Sequence, residues 1–545
     1  MPLVSLTAAP DPARWQALAR ARFARLTPQQ RLFRQQLGLP VDRPVVMSGH
    51  QAAIWHAGIL AKYLAAAALR DHASFGAGWV VVDQDPEDFT LLRVPVRRAG
   101  PDNVPMWSAV DVELAPAEIR QRLLAQTAPS NLPSVPAPSP DAPHPELSAP
   151  DGAAPHPMDT RAREALGRLA RAWPALAGRL SAAEQVSAAV ASLIVDDALT
   201  GAPLTPVFAT RLAQTDFFAA LVARMLEDPR ACIGAYNEAV RANPDLGIAP
   251  LALPSVPAGP ARRAHSATNG GAATASGLDP FELSDPLDAP PVSERPIELP
   301  LWAIDPDTGV RRRVHTQNVP IWPVPRALML TAALRLGACD LFIHGTGGGA
   351  TASIRDDHTP DAPTQSPDSP DRGYDRVTEQ WLEGWLGPLD RDLAPSVVVS
   401  ATMTLPLSTR PPIGPTEAAR AAWRAHHAQH APTMLGESGA GAVARALGRL
   451  ATKRSSPRWV RRALFRRAHE LRSEARAAHS ERLAELRRAV GDTRRRAMED
   501  AVLRDRTWSI ALFAPDELAV LRAAIDERLG FTPSAGDSTS TGDQR

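Results

Sequence analysis

Cysteine is almost missing from this chain of 545 residues, which holds only Cys232 and Cys339. Two thiols cannot staple a chain of this length, and they cannot build a cysteine-based zinc site. Tyrosine is as scarce, at Tyr63, Tyr236 and Tyr374, and lysine scarcer, at Lys62 and Lys453. Net charge is small too, because 60 Lys+Arg against 59 Asp+Glu leave +1. That balance argues against a nucleic-acid coat protein and against an acidic solvating chain. No apolar run approaches the about 20 residues that a membrane span requires. The start, MPLVSLTAAPDPARW, lacks a basic stretch followed by an apolar one, so no secretory leader is read there. The expectation is a soluble, cytoplasmic protein with no membrane partner.

What the chain has in excess is proline, with 54 residues, and arginine, which supplies 58 of the 60 basic side chains. Where nearly every ammonium has become a guanidinium, a surviving lysine is a candidate for a role that the broad planar fork cannot fill. Chance survival is the plainer alternative, and the neighbours of Lys62 decide between the two. Proline, Ser, Ala and Asp concentrate in tracts that cannot bury enough surface to offset ordering entropy. These tracts divide the chain. Residues 1–126 read as the first half of an α/β core and 127–160 as a Pro-rich disordered insertion. Residues 161–253 read as a helical connection and 254–296 as a low-complexity linker. Residues 297–415 read as the second part of the core, interrupted by a disordered insertion at 356–372. Residues 416–530 read as a helical, coiled-coil region that returns to the core, and 531–545 as a disordered tail.

Within these blocks, Arg43–Ser48 and Trp79–Val82 read as short buried strands with a helix over Ala57–Asp71 between them, the opening of an α/β sheet. Leu91–Val96 is a possible third strand. Ile297–Arg313 reads as a hairpin turning at Asp305-Pro-Asp-Thr-Gly309. Arg326–Leu336 is a helix leading into a strand at Cys339–Ile343, and Ser396–Leu405 is another apolar strand. Leu464, Leu471, Leu483, Leu486 and Val490 recur at or near helical spacings, which suits a helical hairpin turning at Gly491. Arginine there alternates with Asp and Glu, so a solvated face is read in preference to an RNA surface.

Three constellations can carry chemistry. In the first, a strand ends at Ser48 and a turn follows with Gly49, His50 and Gln51. His56 then precedes a helix holding Gly58 and Lys62. A helix N-terminus attracts anions, and Lys62, about one turn after Gly58, can reach the same anion. The plainer alternative is that the two histidines cap the helix and fill the turn. The second is Asp83-Gln-Asp85-Pro-Glu87-Asp88, four carboxylates at a strand end, able to bind an amine, take Mg²⁺ or act as a base. Crowding is expected to raise at least one of their pKa values. In the third, a strand reaches His344 and enters Gly345-Thr-Gly347-Gly348-Gly349, with Tyr374-Asp375 opening the next helix. Such a turn can cradle phosphate or carboxylate, although no Lys-Ser/Thr follows to make it a P-loop. Tyr236-Asn-Glu238, Arg326 and Cys339 read as structural.

Taken in order, these segments resemble the cysteine-adding enzyme family of bacillithiol biosynthesis. Val45-Val-Met-Ser-Gly-His-Gln51 through Gly58 and Lys62 looks like the family's strand and Gly-Gln-Gln turn, with His50 in place of the first Gln. Gln84-Asp-Pro-Glu-Asp-Phe89 looks like its acidic stretch, and Tyr236–Val240 like its helical Tyr-Asn segment. His344-Gly-Thr-Gly-Gly348, Tyr374-Asp375 and Arg506–Pro515 look more like a divergent bacterial branch. The resemblance implies a Rossmann-like core with helical insertions and a C-terminal coiled-coil hairpin that makes homodimers. It also implies a ligase reaction joining cysteine to glucosaminyl malate. The expectation is a ligase-like enzyme acting on a small molecule. ATP or ADP with Mg²⁺ would bind between the two turns. His50, His56, His344, Asp85, Glu87 and Asp88 would serve as catalytic groups, and Ser48, Gly49, Gln51, Gly58, Lys62, Gly345, Gly347, Gly348, Tyr374 and Asp375 would hold the ligand. The alternative is a non-catalytic dimeric scaffold that keeps the fold.

Overall fold

A computed structural model describes residues 4–87, 89–99, 105–139, 157–173, 180–254, 296–345, 373–388, 393–405, 413–435, 438–453, 455 and 457–531. It is a mixed α/β architecture. Its centre is a six-stranded sheet of β1 (Val4–Ala9), β2 (Val45–Gln51), β3 (Gly76–Val82), β6 (Thr205–Phe208), β10 (Leu341–His344) and β11 (Ser396–Met403). Across the sheet the order is β1-β11-β10-β2-β3-β6. Five strands are parallel, and β1 closes one edge antiparallel to β11. The remaining strands lie outside it, in a hairpin of β4 (Leu91–Ala99) with β5 (Pro105–Glu113) and a small sheet of β7 (Glu298–Ile304), β8 (Arg311–His315) and β9 (Val324–Pro325).

Helices cover both faces of the central sheet, which is why the inner strands carry apolar runs such as Val45–Met47, Trp79–Val82 and Val397–Val399. Alternate residues point into two separate cores. Val46, Trp79, Val81, Leu341 and Ile343 face one, packed by the helices Ala57–Ala73, Pro157–Ala172, Ala182–Asp196 and Pro515–Arg528. Val45, Met47, Val80, Val207 and Phe342 face the other, packed by Asp216–Glu227, Pro229–Ala242, Ala327–Ala333 and Gly373–Leu386. The Ala57–Ala73 helix is buried on nearly every side, and its run Ala65–Ala68 lets the sheet and the Pro515–Arg528 helix approach closely. At the N-terminal ends of β2 and β10, Asp340 accepts a hydrogen bond from the Val45 N–H at 2.7 Å. It also pairs with the fully buried Arg34 at 2.8 Å.

The strands read at Arg43–Ser48, Trp79–Val82 and Ser396–Leu405 are present, as are the turn at Asp305–Gly309 and the helix that follows β2. Several expectations are corrected. Leu91–Val96 is a strand, but it belongs to the β4–β5 hairpin and not to the main sheet. Gly491 is no turn: it lies inside the helix Ser480–Leu503, and the helical pair is Ser438–Thr452 against Arg458–Ala478, with Pro415–Ala428 against Ser480–Leu503. Part of the expected disordered insertion 127–160 is ordered, and 140–156 lie outside the described residues. Residues to Ser139 pack into the protein, where Val135 exchanges hydrogen bonds with Gln185 and accepts one from the Trp173 indole. The helix Pro157–Ala172 then resumes. Most of 254–296, all of 356–372 and most of the tail lie outside the described residues. Among the described residues no helix is long and apolar enough to cross a membrane.

Candidate functional site

The order of the parallel strands reverses between β2 and β10. From β2 the chain moves outward to β3 and β6, then returns to the other side of β2 for β10 and β11. Ligands of open α/β sheets bind at the carboxyl ends of the strands beside such a reversal. A cavity of about 410 Å³ lies there, lined by Gly49, His50 and Gln51 after β2 and by His344 and Gly345 after β10. His56, Gly58 and Lys62 of the intervening helix line it as well, with Asp85, Tyr374 and Arg506. The first and third constellations therefore meet. A Cβ placed on Gly345 would touch the Lys62 stem at 3.5 Å.

Lys62 is the buried cation of this cavity. Its side chain runs back toward the helix start, and Nζ donates to the Gly49 carbonyl at 2.7 Å. It is 8% exposed, and no carboxylate pairs with it among the described residues. Burial alone pushes its pKa down to about 8. Two neighbouring histidines are held neutral. His50 is pushed down to about 3 by burial, then by Lys62 and His56, and its buried Nδ1 has no hydrogen-bond partner among the described residues. His56 is pushed down to about 4 by burial, Lys62 and Arg506. Its Nδ1 accepts the Gly58 N–H at 3.1 Å as the N-cap of the helix, which leaves the proton on Nε2.

This cap corrects the expected anion cradle. Gly58 N–H is taken by the His56 ring, and the Ile59 and Leu60 N–H groups bond the His56 carbonyl. The Gly58, Ile59 and Leu60 amides are thus committed within the chain. Gly58 is needed for packing: a Cβ there would meet the His56 ring at 2.9 Å and the Ala401 carbonyl at 3.2 Å. Gly49 is required by the sheet, since a Cβ would fall 2.5 Å from that of Val80. Ser48 lies outside the cavity lining, fully buried, and its hydroxyl donates to the Ile343 carbonyl at 2.7 Å, tying β2 to β10.

His344 has a carboxylate neighbour: its Nε2 lies 2.9 Å from Oδ1 of the buried Asp375, at ion-pair distance but without hydrogen-bond geometry. Burial alone would raise the Asp375 pKa, but His344 and Arg335 outweigh it and hold the carboxyl below its ordinary value. Arg335 reaches Asp375 at 3.2 Å, and the Ser396 hydroxyl donates to its other oxygen. Asp375, expected to hold the ligand, is therefore committed to Arg335 and Ser396 and does not line the cavity.

The acidic stretch after β3 does not converge. Asp83 is buried and accepts hydrogen bonds from the N–H and hydroxyl of Thr210. Its pKa rises to about 6, with burial and not crowding as the largest cause. Asp85 reaches the cavity edge but is ion-paired to Arg311. Glu87 is exposed and does not line the cavity, while Asp88, Gly347 and Gly348 lie outside the described residues. Among the described residues no group of three or more His, Cys, Asp or Glu side chains can hold a metal ion, so the Mg²⁺ reading of this stretch finds no ligand set.

Sequence reasoning missed Arg506 as a cavity residue, along with the apolar wall formed by Leu328, Leu330 and Leu334. Arg506 opens the segment whose order had been noticed; its charge, opposite a buried histidine, was the available signal. Cys232 and Cys339 are core residues, each buried and with its thiol pushed up to about 12 by burial. Set against protein-family models and against curated proteins, the chain matches none.

Proposed function

We propose that this chain is an enzyme with a Rossmann-like core that binds a small anionic substrate at the β2–β10 switch point and moves a proton there. The parallel strands, numbered in chain order, run 3-2-1-4-5, the order of the doubly wound dinucleotide-binding folds without their sixth strand. The observation that carries the reading is Lys62, a buried ammonium in a cavity with no carboxylate paired to it among the described residues. Burying a charge is costly unless something pairs with it, and a substrate carboxylate or phosphate supplies that pair. Neutral His50 and His56 present ring nitrogens without adding charge. His344, beside the Asp375 carboxylate, takes or returns the proton, as an imidazole next to a buried carboxylate does elsewhere.

The reaction class that uses this set is ligase-like: Lys62 holds a carboxyl-bearing substrate, a nucleoside triphosphate as co-substrate carries off the departing carboxyl oxygen as phosphate, and His344 removes the proton from the attacking amine. The resemblance to the cysteine-adding family supports that class. We also propose a homodimer through the C-terminal helices, supported by exposed Trp423, Trp459 and Phe465 on two of them. The test of the site is calorimetric titration of ATP, ADP (each with and without Mg²⁺) and malate into the wild type and Lys62→Met. At least one anion is expected to bind the wild type and to bind the variant at least tenfold more weakly. Anion binding that the substitution leaves untouched overturns the assignment.

A further inference from the structure

The cavity has two unlike ends, and they come from different layers of the protein. Lys62 and His56 project from the Ala57–Ala73 helix, which packs one face of the sheet. The opposite layer supplies Val80 and Val82 of β3, Leu328, Leu330 and Leu334 of the helix before β10, and Phe342 of β10. These six side chains form a continuous apolar wall, and the hydroxyl of Thr331 is the one polar group that their helix adds to the lining. A polyhydroxylated substrate placed against this wall would lose water at each hydroxyl and gain little in return. An alkyl or aromatic body would gain from the same contact.

We infer that the substrate is an amphipathic anion: a carboxylate or phosphate that meets Lys62, joined to an unhydroxylated apolar body seated on the Val80–Leu330–Phe342 wall. The inference rests on the proposed anion role of Lys62 and adds the chemistry of the remainder of the molecule. It departs from the sugar-bearing substrate that the family resemblance implies. The cationic end fixes the orientation of the ligand, with its anionic group at Lys62 and its body on the apolar wall. Selectivity among carboxylates then comes from the body, because each methylene that leaves water contributes to binding independently of the charge.

The experiment compares four probes in calorimetric titrations of the full chain: butyrate, hexanoate, gluconate and hexanol. Hexanoate and gluconate share a carboxylate and a six-carbon chain and differ in five hydroxyls. Hexanoate is expected to bind at least tenfold more tightly than gluconate. The gain from butyrate to hexanoate should be about three- to fourfold for each methylene. Val82→Thr, nearly isosteric and at a half-buried position, should weaken hexanoate severalfold and leave gluconate unchanged. Gluconate binding as tightly as hexanoate, or a flat response from butyrate to hexanoate, overturns the inference while leaving the anion site standing. Hexanol matching hexanoate in the wild type, with Lys62→Met without effect on either, overturns the anion site itself.

Discussion

The two ends of one strand pair, β2 and β10, handle buried charge in opposite ways. At the N-terminal end Asp340 and Arg34 are both fully buried and meet at 2.8 Å, with the Val45 N–H on the second carboxylate oxygen. At the C-terminal end Lys62 is almost as deeply buried, yet it holds a backbone carbonyl and, among the described residues, no carboxylate. The first charge is paired within the chain and serves the fold. The second is left to be paired by something else. A high density of charged residues therefore says less about function than a buried charge without its partner. The stretch after β3 makes the same point, since its carboxylates are numerous and two of them are committed to Thr210 and Arg311.

The contrast can be broken most forcefully at the paired end. Asp340→Ala strands Arg34 in the core and should cost about 3–5 kcal/mol of stability. Urea denaturation measures the loss, and the population that remains folded should bind anions normally. At the unpaired end the sign reverses. The folded pKa of Lys62, about 8, lies below the unfolded value near 10.4, so the unfolded chain holds more protons between those two pH values. The cost of burying the ammonium is therefore fully present below pH 8 and fades as pH rises toward 10.4. Lys62→Met should raise stability at pH 7 by about 3 kcal/mol, the equivalent of that shift, and the advantage should vanish near pH 10.4. A destabilised Lys62→Met protein would contradict the comparison.

His344 sharpens the comparison from within the site. Asp375→Asn keeps the shape but removes the charge beside the ring. Turnover should fall by about two orders of magnitude with KM little changed, once a substrate is in hand. A change confined to KM would assign Asp375 to binding. Smaller effects are expected from the two neutral histidines. Their folded pKa values, about 3 and about 4, lie below the unfolded 6.5, so stability is complete above pH 6.5 and is lost as pH falls toward those values. His56→Asn, which can still cap the helix, should flatten that acid slope in a pH series of thermal melts. The smallest effect belongs to Asp85→Asn, which releases a partly exposed pair with Arg311 and should cost about 1 kcal/mol or less in the same assay.

Much of this architecture was readable because burial on both faces leaves a plain mark. Val45-Val-Met47, Trp79–Val82 and Val397-Val-Val399 are apolar runs too short for helices. The rarity of lysine singled out Lys62 before any geometry was known. Other parts carried no such mark. β6 is four residues long, contains Pro206 and sits among helices, so its pattern is lost in theirs. β1 alternates polar and apolar residues because only part of it is covered at the sheet edge. In β4, Leu92, Val94 and Val96 announce a strand with one buried face, but period alone does not name the partner sheet. The division between paired and unpaired carboxylates was hidden for a deeper reason: Thr210 and Arg311 lie far along the chain from Asp83 and Asp85, and sequence spacing carries no trace of those contacts.

The closing segment meets the first constellation directly. Ser509 bridges to His56, the Ile510 N–H reaches the Trp55 carbonyl at 2.8 Å, and Trp508, Leu512 and Phe513 fill the core under the Ala57–Ala73 helix. During synthesis, then, the ribosome delivers the lysine and both histidines of this turn long before it delivers the residues that seat them. A nascent chain carries an unfinished pocket through most of its translation and completes it only when residues beyond 500 emerge.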